Sequence, residues 1–143
     1  MSPAIDINTI IPGCKNFSWS EALFLPKWGI HCFPNPSQAQ SICDVAAQME
    51  TIRAFFGNQP INVTSWIRPP AYNVLIGGAP QSAHMDGQAV DFQITGMNCD
   101  DMRAKLLPML ATWNICMENK PGADWVHIDT KPPRPSTGRY FIP

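Results

Sequence analysis

Charge is scarce in this chain. Asp, Glu, Lys and Arg make up 15% of its 143 residues, for a formal net charge of −1, where typical domains carry about 25% charged residues. No basic surface is on offer to a polyanion, so no nucleic-acid partner is expected. Long apolar runs are missing as well. None approaches the roughly 20 residues that cross a bilayer, which argues against membrane insertion. The opening MSPAIDINTIIPG has neither a charged leader nor a continuous apolar core, and the expectation is a chain made in the cytoplasm without a signal peptide. Five cysteines, Cys14, Cys32, Cys43, Cys99 and Cys116, are odd in number and form no C-x-x-C pair. They read as free thiols rather than a disulfide framework. No repeat or low-complexity segment is evident.

Proline, in contrast, is abundant. Fifteen prolines gather near the N-terminus, at Pro69 and Pro70, and after Lys131, and they predict short elements joined by many loops. The length suits one domain, 1–143, with loops and a short helix over 1–34 and a proline-rich tail over 131–143 lying extended on the surface. A monomer is expected. Ser18 to Glu21 fits a capping box opening the short helix. His31 follows in a loop, with no ligand-type neighbour except Cys32, and reads as a local hydrogen-bonding residue. Asn35-Pro36-Ser37-Gln38 opens the main amphipathic helix, whose apolar stripe is Ile42, Val45, Ala46, Met49, Ile52 and Phe56 before Gly57 closes it. Alternation from Gln59 to Arg68 predicts a strand, with Ile61, Val63, Ser65 and Ile67 on one side and Trp66 and Arg68 on the other. Asn98 to Thr112 predicts a second helix, kinked at Pro108, with Met102, Leu106, Met109 and Leu110 buried. Asn114–Met117 and Trp125–Thr130 read as strands joined by a turn through Gly122.

Only three histidines are present, and two fall on segments that also offer a carboxylate. In PQSAHMDGQAVDFQI, His84 sits on a loop and Asp91 on the polar face of a strand, with Gly87 letting the backbone turn between them. In ADWVHIDT, His127 shares a face with Trp125 and Asp129, while Val126 and Ile128 face the core. A neutral imidazole pair and a hard carboxylate suit zinc, and three protein ligands leave a fourth position open, as catalytic sites do. Asp124 is the expected general base, although its three-residue spacing from His127 requires the backbone to bend near Gly122. Glu118 is the competing base. Arg68 could hold a developing oxyanion. A structural zinc site would need a fourth side chain, for which Cys32 and Cys99 are the candidates, and a binding module would keep the core without needing Asp124 or Arg68.

The patterns S-x-H-x-x-G-x-A-x-D, Ser82 to Asp91, and W-x-H-x-D, Trp125 to Asp129, resemble the zinc D-Ala-D-Ala carboxypeptidase family, which includes VanX- and VanY-type peptidases and phage L-alanyl-D-glutamate endolysins. The segment Val63 to His84 resembles that family's arginine-bearing strand and its loop, and the likeness covers roughly Asn35 to Thr130. It implies a compact α+β domain of the hedgehog/D,D-peptidase kind, with a small antiparallel sheet bearing the ligands and helices packed on it. It implies one zinc per chain on His84, Asp91 and His127, Asp124 as general base and acid, and Arg68 as the transition-state arginine. Asn73, Gln81 and Ser82, in the loop before His84, are the candidates for substrate contact. The implied activity is hydrolysis of an amide in the peptidoglycan stem peptide, by a phage or prophage endolysin acting on the wall after release. The alternatives are a D,D-carboxypeptidase of cell-wall metabolism and a non-catalytic zinc- or peptidoglycan-binding domain.

Overall fold

A helix begins where side chains replace missing backbone partners, and both starts marked in the sequence are built that way. Ser18 and Glu21 bond each other's amides to open α1 (Trp19–Leu23). Asn35 and Gln38 do the same for α2 (Pro36–Phe55), whose first residue, a proline, has no N–H to satisfy. Between them β1 (Phe24–Leu25) and β2 (Ile30–His31) form a small antiparallel hairpin, and His31 Nε2 shares a 2.9 Å hydrogen bond with Ser20 Oγ. The computed structural model describes residues 4–143. Along the chain follow β3 (Asn62–Ser65), α3 (Pro70–Leu75), a 3-10 turn (Ala83–Asp86), β4 (Ala89–Gln93), α4 (Cys99–Leu106), α5 (Leu110–Trp113), β5 (Cys116–Glu118), β6 (Val126–Asp129) and β7 (Tyr140–Phe141).

The last five strands make one sheet in the order β3-β4-β6-β5-β7. All neighbours are antiparallel except β5 and β7, which run parallel. Val90 and Phe92 of β4, Met117 of β5, and Val126 and Ile128 of β6 join the α2 stripe and Met102 and Leu106 of α4 in one buried cluster. Each such large side chain contributes about 1.5–3 kcal/mol when fully buried. Period-two alternation then sends Asp91 and His127 to the opposite face. The architecture is α+β, as the sequence implied. All five cysteines are free, and among the described residues no helix is long and apolar enough to cross a membrane.

Several elements differ from expectation, among them α3, which forms where the sequence reads a loop around Asn73. The strand predicted over 59–68 narrows to Asn62–Ser65, and its register slips between Val63 and Ser65. Past the slip, Trp66 and Ile67 are both buried, so the expected alternation fails there. The second helix changes to a 3-10 turn at Leu107–Met109, since Pro108 has no amide to continue the ladder, and Met109 is left only half-buried. The tail does more than follow the surface: Tyr140 and Phe141 add a strand beside β5, and Phe141 is buried.

Candidate metal centre and its cleft

Register brings the polar residues into a row. Asp91 of β4 is paired with His127 of β6. On the far side of β4, Ser65 is the partner of Asp91. β5 meets β6 through Cys116 with Asp129 and Met117 with Ile128. One step further on that register, Glu118 faces His127, with Oε2 at 3.9 Å from Nδ1. Glu118 is in turn paired with Phe141 of β7. Ser65, Asp91, His127, Glu118 and Phe141 thus cross the sheet on one face.

His84 reaches the row from the 3-10 turn. Ser82 Oγ accepts its amide at 3.2 Å, and Gly87 ends the turn in the left-handed region at φ 73°. A Cβ at Gly87 would stand 2.9 Å from the Gln38 carbonyl oxygen, so only glycine lets the loop sit this close to α2. Gln38 Nε2 donates to the Met85 carbonyl at 2.9 Å, and the Arg68 amide donates to the His84 carbonyl at 3.0 Å. The loop is fixed both to α2 and to the segment that follows β3.

At the centre, Asp91 Oδ1 lies 3.1 Å from His84 Nε2 and 2.9 Å from His127 Nδ1. The three donor atoms fall within 4.8 Å of one another, and all three residues are buried. The outer ring nitrogens are fixed too. His84 Nδ1 lies 2.6 Å from the Trp66 carbonyl oxygen, which can only accept, so Nδ1 carries the proton. Burial, only partly opposed by Asp91, holds His84 below its usual pKa and hence neutral. Its Nε2 therefore points a lone pair at a carboxylate oxygen. That contact is repulsive unless a cation lies between the two atoms, and the pair is matched to a metal ion.

Burial works against charge on both Asp91 and His127, and their partners outweigh it. Asp91 is held well below the usual carboxylate range by its hydrogen bond to, and the charge of, His127. His127 is raised to about 9 by its bonds to Asp129 and Asp91, so in the metal-free protein a proton supplies the positive charge the cluster needs. Arg68 Nη2 donates to Asp91 Oδ2 at 2.9 Å and Arg68 Nε to Ser65 Oγ at 2.9 Å. Neither Cys32 nor Cys99 belongs to the donor group found among the described residues.

The cluster opens into a cleft of about 710 Å³ whose walls include Arg68, Gln81, Ser82, Glu118, Lys120 and Trp125. Asp124 is not brought there. Its neighbours' carbonyls are tied down: Arg103 donates to Ala123 O at 3.2 Å and to Trp125 O at 2.7 Å, and Gln93 Nε2 bonds Asp124 O. Gly122 does make a left-handed turn, at φ 81°. Even so, the Asp124 side chain is exposed and lines a separate depression with Cys99 and Asp100. Asn73 is buried on α3 and turned toward the loop that follows that helix, where its Nδ2 donates to the Ala79 carbonyl at 2.9 Å; it shapes the rim, and Gln81 and Ser82 are the two of that group on the cleft wall. Sequence reasoning passed over Arg103, Arg134 and the support role of Asp129. For Asp129 a signal existed, two residues beyond His127 on the same face.

Three converging donors beside an open cleft make a candidate metal site. The profile of the family Peptidase M15 matches residues 18–129, and the chain belongs to that family, whose peptidases are zinc-dependent. No curated protein matches the chain.

Proposed function

We propose that this chain is a zinc peptidase that hydrolyses an amide bond of the peptidoglycan stem peptide, in the manner of a phage or prophage endolysin. The observation that carries the reading is the joint placement of His84, Asp91 and His127 with Glu118 and Arg68 on the walls of one cleft. The motifs around His84 and His127 resemble those of peptidoglycan peptidases, and Lys120, with Nζ 5.0 Å from the Trp125 ring centroid, adds a cation suited to a carboxylate-bearing peptide.

His84 Nε2, Asp91 Oδ1 and His127 Nδ1 would hold the zinc. When bound, the ion polarises the scissile carbonyl and acidifies water. Glu118 serves as the proton carrier: it accepts the proton of the attacking water on a carboxylate oxygen and returns it to the leaving nitrogen. Arg68 is oriented by Ser65 and Asp91, which use two of its five N–H donors, and the remaining fork is free to hold the oxygen of the tetrahedral intermediate. Trp66 and Asp129 fix the two imidazoles so that their metal-facing nitrogens carry lone pairs.

The test is digestion of purified peptidoglycan with the zinc-loaded protein, followed by mass spectrometry of the new ends. New termini inside the stem mark an endopeptidase. Release of terminal alanine alone marks a carboxypeptidase. Intact peptidoglycan with zinc bound leaves a binding domain.

A further inference from the structure

Beyond the end of the family match, the tail returns to the metal-ligand set through Arg134. Its Nη1 donates to Asp129 Oδ1 at 2.8 Å and its Nη2 to Asp129 Oδ2 at 3.1 Å. Asp129 is fully buried. Its Oδ2 also accepts from His127 Nε2 at 2.9 Å, and its Oδ1 from the Lys131 amide at 3.1 Å. The guanidinium carbon lies 3.7 Å from the centroid of the Phe141 ring, and that ring packs edge-on against His127 at 5.6 Å. Arg134 is locked from behind by paired backbone bonds with Gly138, 2.9 and 2.8 Å long. A carboxylate with one such fork can rotate little, so His127 has one orientation for its Nε2–H and one direction for its Nδ1 lone pair.

We propose that Arg134 is a positioning residue for the metal centre: by clamping Asp129 bidentately and stacking on Phe141, it fixes the direction in which His127 presents Nδ1. The inference rests on the zinc-binding reading above. Two physical effects of Arg134 have opposite signs. Its positive charge disfavours a nearby cation, whereas its fork favours a preoriented ligand. Arg134→Lys keeps the charge and loses the fork, and Arg134→Gln loses both, so the pair separates them.

The experiment measures zinc dissociation constants by competition with a chromophoric chelator for wild type and both variants. It also measures the exchange rate of the His127 Nε2–H proton in the zinc-loaded proteins by NMR. Positioning predicts zinc held about 10–100-fold more weakly in both variants, the usual loss when a ligand's outer partner is removed, with faster exchange of that proton. If Arg134→Gln proves too unstable to purify, Arg134→Lys still decides the matter. Wild-type zinc affinity in Arg134→Lys, or unchanged or tighter binding in Arg134→Gln, overturns the inference. A wild-type protein that holds no zinc overturns instead the reading on which it rests.

Discussion

Two depressions flank the start of β6, and each contains a carboxylate that could be mistaken for the other. In the larger, about 710 Å³, Glu118 faces His127; in the smaller, about 350 Å³, Asp124 sits beside Cys99 and Asp100. Sequence distance favours Asp124, three residues from His127. Strand geometry favours Glu118, because residues paired across an antiparallel ladder share a face while an odd offset along one strand changes it. The three carbonyls from Ala123 to Trp125 are held by Arg103 and Gln93, so the backbone does not turn to reverse that parity. Proximity across the sheet, rather than along the chain, decides which carboxylate meets the cluster.

The largest expected effect tests the cluster itself. His127→Ala removes one of three donors and should lose both zinc and hydrolysis, read by metal analysis and peptidoglycan digestion; retention of one zinc per chain would mean that the ion is held elsewhere. The next separates the two depressions directly. Glu118→Gln should lower turnover by about 10²–10⁴-fold, the usual contribution of a positioned acid or base, with zinc retained. Asp124→Asn should stay within a few-fold of wild type. If the two results are exchanged, the segment before β6 must rearrange when substrate binds, and the comparison breaks.

A smaller loss is expected from Arg68→Ala, about 10²–10³-fold in kcat, as for removal of one oxyanion donor. Arg68 also bonds Asp91 Oδ2 at 2.9 Å, so zinc content must be measured alongside. A fall in kcat at full occupancy supports transition-state contact. A fall that tracks zinc loss makes Arg68 a support for the ligand alone.

The strongly periodic and capped parts of this fold were legible in the sequence. Both capping boxes, the α2 stripe and the alternation of β4 and β6 are local patterns, and local patterns suffice to place Asp91 and His127 on a polar face. Glu118 was visible as a competing base, but choosing it required the register of β5 against β6. Trp66 was misplaced because a slip within β3 leaves no mark in the residue pattern. Arg103 and Arg134 gave only weak local signals: each has a carboxylate a few residues before it, Asp100 and Asp129, but the strand carbonyls that Arg103 holds and the fold-back that brings Arg134 against Asp129 leave no mark in the residue pattern. The tail strand was hidden by its prolines, which suggested a loop and mask the two residues that pair.

The smallest effect compares one glycine from each region. Gly87 and Gly122 both have positive φ, 73° and 81°, so alanine at either meets a similar backbone strain, on the order of 1–3 kcal/mol. Their surroundings differ. A Cβ at Gly122 meets nothing within 4 Å, whereas one at Gly87 meets the Gln38 carbonyl at 2.9 Å and Ile42 Cγ1 at 3.2 Å. Backbone carbonyl and core side chain can yield little, so Gly87→Ala should be the less stable variant in urea denaturation by about a further 1 kcal/mol or more, within the range for overpacking. It should also displace His84 and weaken zinc, while Gly122→Ala leaves zinc affinity unchanged. Equal stability and equal zinc affinity in the two variants would show that the His84 loop is not held against α2, and that the cleft is no more tightly built than the depression beside it.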